Sequence, residues 1–216
     1  MKKILLMVVV AIMAAVVLPA TVQAKKVTVT IDGTVWPSQT KLYLIINGDT
    51  ANAQQLPIED AKFSVTVTVD RNAIICLHDS KEWLERSTFV LIPDSRHITV
   101  DWSSGTILGS KESSKLKSIC QEIKRESPEG FHIDVFSDDP EQWRKAQEMG
   151  ESIRQSMLVE QKKVAQQALL ENKNNIYGVW IVYCFPELFE GEFNDAVGQL
   201  KGKWAKHPIL KLRKKQ

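Results

Sequence analysis

"KFSVTVTV", residues 62–69, carries a period of two. Phe63, Val65, Val67 and Val69 alternate with Ser64, Thr66 and Thr68, so an extended chain would turn one apolar and one polar face. The same period runs outward in both directions. Upstream, "KVTVTI" (26–31) sets Val27, Val29 and Ile31 against Lys26, Thr28 and Thr30, and Asp32-Gly33 offers a turn. "KLYLII" (41–46) stops at Asn47-Gly48, a strong turn dipeptide. Downstream, "AIICLH" (73–78), "TFVLI" (88–92) and "HITVDW" (97–102) continue the series, with Pro93-Asp94-Ser95 turning between the last two. Short strands at this spacing cannot each bury a face alone, so residues 25–109 are expected to form an antiparallel β-sandwich or barrel.

At Gly109-Ser110 the period becomes helical. Ser110 is suited to cap a helix from about Lys111 to Arg125, with Leu116, Ile119, Cys120 and Ile123 as its buried stripe. Ser127-Pro128-Glu129-Gly130 stops it. "DDPEQW" (138–143) starts another: Asp139 as cap, Pro140 at the first helical position, Gln142 three residues after the cap. That helix should reach Asn172, with Gly150 as a soft point. "IYGVWIVYCF" (176–185) is apolar all round and therefore buried, and Pro186 ends it. A last amphipathic segment places Phe193, Val197, Leu200 and Trp204 on one face before His207-Pro208. The expected class is α+β: a β module, a mainly helical region over 110–205, and a basic tail over 206–216.

The first 24 residues separate from the rest. Lys2 and Lys3 precede an uncharged apolar run of 15 residues, Ile4–Leu18, and Val22-Gln23-Ala24 is a small-residue cleavage site. The run is short of the roughly 20 residues that cross a bilayer as a helix. A secretory signal cleaved between Ala24 and Lys25 is expected, placing the mature chain in the periplasm or otherwise outside the cytoplasm. At 44% hydrophobic and 25% charged, the composition is that of a globular protein rather than a disordered or fibrous one.

Charge is unevenly spread. Residues 201–216 hold seven Lys or Arg and no acid; with these and the two leader lysines set aside, 19 bases face 26 acids. Lys211, Arg213, Lys214 and Lys215 are thus candidate binding residues for an acidic partner or an anionic membrane surface, the alternative being a solvated terminus folded back on an acidic body. Nucleic acid is not expected, because the chain is expected to be exported and no aromatic-plus-basic pattern occurs. Trp83, in the polar stretch "DSKEWLERS", is either an exposed anchor for a ligand or partner or a staple over the sandwich.

No complete reactive constellation carries the spacing its chemistry requires. The histidines His78, His97, His132 and His207 form no His-Glu-x-x-His, and no Cys/His cluster has zinc spacing. His78-Asp79 and His132-Ile133-Asp134 read as strand-end or loop histidines in water. Neither a phosphate-cradling glycine loop nor a calcium loop is present, so no metal or cofactor is expected. Ser-x-x-Lys occurs as Ser38–Lys41 and Ser114–Lys117, without the Ser-Asp-Asn and Lys-Thr-Gly elements that accompany it in penicillin-binding enzymes. Cys76, Cys120 and Cys184 each sit among apolar residues, as small buried hydrophobes would; one disulfide plus one thiol is the alternative. None forms Cys-x-x-Cys. No catalytic residue is assigned.

The order "VTVTIDGTVWPSQTKLYLII", "KFSVTVTV", "STFVLIPDSRHITVDW", "ILGSKESSKLKSI" resembles a domain of unknown function in Gram-negative bacteria. That domain precedes the thioredoxin fold of envelope thiol–disulfide oxidoreductases. "NKNNIYGVWIVYCF" and "FNDAVGQLKGKWAKHPIL" are similar to the helical connector of those proteins, so the resemblance covers about residues 26–212. The family continues into a Trp-Cys-x-x-Cys site that these 216 residues do not contain, and the three cysteines here do not match it. The expected function is a non-catalytic exported module that binds an envelope protein or small ligand. The alternative is an accessory of thiol–disulfide exchange, acting through a separate thioredoxin-like partner or one thiol.

Overall fold

Alternation in the β region builds two four-stranded sheets. The computed structural model describes residues 25–80, 89–134, 136, 138–189, 191 and 193–213. The leader through Ala24, Trp83, Lys214 and Lys215 lie outside them. Among the described residues the strands are β1 (Lys26–Thr34), β2 (Tyr43–Ile46), β3 (Gln54–Gln55), β4 (Lys62–Asp70), β5 (Ile75–His78), β6 (Phe89–Leu91), β7 (His97–Asp101) and β8 (Thr106–Leu108). One sheet runs β4-β1-β7-β8 and the other β3-β2-β5-β6, and no barrel closes. Five of the six pairings are antiparallel; β1 and β7 pair in parallel, with Ile31 opposite Ile98.

Asp32-Gly33 is not the expected turn, since β1 runs through it to Thr34. A Cβ on Gly33 would lie 2.5 Å from the Val100 carbonyl oxygen and 2.7 Å from the Phe63 ring. Glycine is needed there for close approach of neighbouring chains within the sheet, not for a bend.

Between the sheets, Val29, Ile31, Ile98 and Val100 share one core with Leu44, Leu77, Phe89 and Leu91. The Phe89 and Trp102 rings meet edge to face at 4.8 Å. The second sheet is covered on its other side too. Ile45, Ile74, Cys76 and Ile92 belong to a further core shared with the helices. Hence the molecule has three layers, and the middle one explains why "YLII" and "ICLH" read as runs rather than alternations.

The helices are α1 (Lys111–Arg125), α2 (Pro140–Asn172), α3 (Ile176–Cys184), α4 (Phe193–Gln199) and α5 (Pro208–Arg213). The expected caps at Ser110 and Asp139 form, and Asn175, not among those expected, adds one at the start of α3. Ser110 accepts the Ser113 N–H at 3.0 Å, Asp139 the Glu141 N–H at 2.9 Å, and Asn175 the Tyr177 N–H at 2.9 Å. Gly150 does not soften α2, which is unbroken; it is buried against Ile133, whose Cδ1 would stand 3.3 Å from an added Cβ. α3 is buried from Ile176 through Tyr183, as its composition requires. No helix among the described residues is long and apolar enough to cross a membrane.

The C-terminal segment is docked rather than frayed over its described part. Ile209 and Leu210 are 0% and 2% exposed and join the helical core. His207 anchors them: its Nε2–H donates to the Asn72 carbonyl at 3.0 Å and its Nδ1 accepts the Ile209 N–H at 3.3 Å. Both bonds require a neutral ring of one tautomer. Burial lowers the His207 pKa from its ordinary 6.5, against the Asn72 bond, which raises it. The unfolded chain therefore binds the extra proton first as pH falls. This contribution to stability is complete above about pH 6.5 and is lost on acidification below it. Thermal melting from pH 8 to pH 5 should show that loss, and His207→Gln should melt lower at pH 8 with a flatter profile.

Candidate functional site

Residues suited to chemistry are tied up in structural bonds. Ser114 Oγ donates to the Ser110 carbonyl at 2.9 Å, one turn back along α1, while Lys117 Nζ donates to the Gly105 carbonyl. The lysine is thus held by a loop and not by the serine it would need to activate. Ser38 and Lys41 lie in the loop between β1 and β2, where the Gln39 amide donates to the Lys41 carbonyl at 3.1 Å.

One Ser/Asp/His cluster does assemble, on the outer face of the first sheet. Ser64 Oγ donates to Asp32 Oδ1 at 2.8 Å, and His97 Nε2 bonds Asp32 Oδ2. The carboxylate stands between serine and histidine, so the imidazole cannot take the serine proton; a nucleophile–base pair needs the opposite order. Burial raises the Asp32 pKa, and the bonds from His97 and Ser64 outweigh it to a net lowering. The three residues come from three strands, and only sheet register unites them. Asp101 is a second hub. Its carboxylate accepts from Ser103 Oγ (2.7 Å) and N–H (3.0 Å), Ser104 Oγ (2.8 Å) and Thr34 Oγ1 (3.0 Å), which hold its pKa far below the usual range and fix the β7–β8 turn. His78 is buried at the end of β5 rather than standing in water, and accepts the Ser80 N–H at 2.8 Å. His132 remains exposed, 3.8 Å from Asp134.

All three cysteines are thiols. Cys76 is buried between the second sheet and the helices, and burial pushes the Cys120 thiol up to about 12 despite Lys124 and the Trp180 side chain. At pH 8 such a group stays in the thiol form, which is a poor nucleophile. Alkylation of native protein at pH 8 followed by mass spectrometry should leave Cys76 and Cys120 unmodified, with all three modified in denaturant.

On the helical layer a groove of about 540 Å³ opens between α1 and α2. Its floor is apolar, from Ile119, Ile123, Val164 and Ala168, and charged side chains such as Lys115, Glu122 and Glu160 rim it. Glu160, Val164 and Ala168 follow Ala146, Met149, Ile153 and Met157 at intervals of three and four, one line along one face of α2. The groove therefore continues past the end of α1 as an apolar stripe, on which Met149 is 55% and Ile153 37% exposed. The ion pairs Glu141–Lys145 (2.9 Å) and Arg144–Glu148 (2.7 Å) lie off that line. Arg154 donates to the Phe131 carbonyl at 2.9 Å and Ile133 packs on Gly150, so this half of α2 is braced by residues 131–133.

Of the residues singled out by sequence, Lys211 is exposed on α5 and does not line the groove. Arg213 closes the same helix. The stripe was missed, although Met149, Ile153 and Met157 carry helical spacing in plain view. Among the described residues no three His, Cys, Asp or Glu come close enough to hold a metal ion. No family model, curated protein or solved structure matches the chain.

Proposed function

We propose that this chain is an exported, non-catalytic module of the bacterial cell envelope that binds another protein through the α1–α2 groove and its extension along α2. The observation that carries the reading is the line from Ala146 to Ala168, apolar except at Glu160, exposed at Met149 and Ile153 and set on a helix braced by the Arg154–Phe131 bond. An amphipathic helix of a partner would lay its own apolar face along such a line, at i, i+3, i+4 and i+7. The Ser114, Lys117, Asp32, His97 and Asp101 side chains support a binding role, since each is spent on a structural bond. The alternative is an accessory of thiol–disulfide exchange acting through a separate thioredoxin-like partner or one thiol, and its thiol version finds no support at Cys120, where burial opposes thiolate chemistry.

A photo-crosslinking residue at position 153 in living cells should trap one envelope protein, and Ile153→Glu should release that partner without changing stability. Crosslinks no more frequent at position 153 than at exposed Glu148 would overturn the groove. Recovery of the mature chain with Lys25 as its first residue tests export.

A further inference from the structure

We infer that the outer edge of β4 accepts an extended strand from another protein. The direction of the Thr30 amide settles which groups that edge presents. Thr30 N–H donates to the Arg96 carbonyl at 2.9 Å, on the β7 side of β1. Thr30 stands opposite Thr66 in the antiparallel β1–β4 ladder. Opposed residues there alternate between exchanging both bonds and exchanging none, so Thr66 points its N–H and C=O away from β1. Two residues on either side, Ser64 and Thr68 do the same.

The ends of β4 obey the same parity. Lys62 exchanges both backbone bonds with Glu59, each 2.9 Å, and the Asp70 carbonyl accepts the Ala73 N–H at 2.8 Å. The N–H and C=O groups of Ser64, Thr66 and Thr68 have no partner among the described residues. Their side chains cannot cap them, being turned to β1: Ser64 to Asp32 at 2.8 Å, Thr66 to Thr30 and Thr68 to Thr28 at 2.9 Å each.

Exposed edges in folded proteins are blunted by a central lysine, a proline or a bulge. β4 has none of these from Phe63 to Val69, and its charges stand only at its ends. A slot is left from about Ser64 to Thr68, closed at one end by Glu59 and at the other by the Asp70–Ala73 turn, with room for about five residues, roughly 17 Å. The occupant would alternate. On one side it extends the row Val65, Val67 and Val69, covering the partly buried Val67; on the other it extends the threonine ladder. An uncharged segment of alternating apolar and hydroxyl residues fits. A second copy fits less well: self-pairing centred on Thr66 would bring the partner's Asp70 to Lys62, where Glu59 already sits. This edge belongs to the sheet remote from the groove, so it stands or falls independently of the function proposed above.

The test uses the full mature chain and a lysine-flanked synthetic peptide of alternating threonine and valine. Residue-resolved hydrogen exchange should find the Ser64, Thr66 and Thr68 amides fast in the protein alone and at least tenfold slower with peptide, while Val65 and Val67 stay slow throughout. Thr66→Pro removes the central donor and should abolish the effect; Val67→Lys, which adds an inward charge at the edge, should weaken it at least tenfold. Unchanged exchange at millimolar peptide would overturn the inference. So would protection of the three amides without peptide, or a concentration-dependent dimer in sedimentation that Thr66→Pro dissolves, which would assign the edge to the chain itself.

Discussion

Trp180→Ala is expected to cost about 3–5 kcal/mol in urea or guanidinium unfolding, as for other large aromatic deletions from cores. Trp180 is 3% exposed on α3, its ring 5.4 Å from that of Tyr183, and its side chain hydrogen-bonds Cys120 on α1. It belongs to the core in which α1, α2 and α3 meet the second sheet, so the vacated space has helices around it and little freedom to collapse. Against a typical total of about 5–15 kcal/mol, such a loss is a large fraction. A second reading of the same variant separates cavity formation from general loosening. With the indole gone Cys120 should become open to alkylation at pH 8 while Cys76, across the core on β5, stays closed. A cost under about 1 kcal/mol would mean that α3 is not central to the helical layer.

Features written in adjacent residues were legible in the sequence. Ser110 and Asp139-Pro140 act on N–H groups two or three residues away, so the starts of α1 and α2 could be read locally; the Asn175 cap of α3 is just as local but was not read. The same holds for β4, whose alternation is complete over eight residues. What tertiary register decides was not legible. Nothing near Asp32-Gly33 announces that β1 continues beside β7, because the demand for glycine comes from Val100 and Phe63, far along the chain. The two residues of β3 carry no apolar pattern at all.

The candidate site divides in the same way. The α2 stripe obeys helical spacing and needed only the observation that α2 outruns its cover. The ends of the basic segment were harder. Its lysines suggested a solvated tail, yet two apolar residues and one histidine outweigh them and pull the chain into the core. Net charge does not report on which side chains between the charges are buried. The Asp32–Ser64–His97 cluster had no local signal, since residues 32, 64 and 97 meet only through strand pairing.

Leu44→Ala and Ile45→Ala should each cost about 2–5 kcal/mol, although the two residues are neighbours in one strand. In a sheet with one buried face a shift of one residue moves a side chain from core to solvent, and only one of two neighbours is costly. Leu44 lies in the core between the sheets and Ile45 in the core beneath the helices, 2% and 0% exposed. The edge strand β4 supplies the control. Val65→Ala should be costly, whereas Thr66→Ala, which loses one exposed bond to Thr30, should stay within about 1 kcal/mol. Four chemical-denaturation curves thus report on the layer order. If Ile45→Ala behaved like Thr66→Ala, the helices would not cover the second sheet, and the α1–α2 groove would lose the floor that Ile119 and Ile123 give it. If both neighbours are costly, α1 and α2 are clamped to a rigid middle layer, and a partner seated in the groove meets a surface already ordered before it arrives.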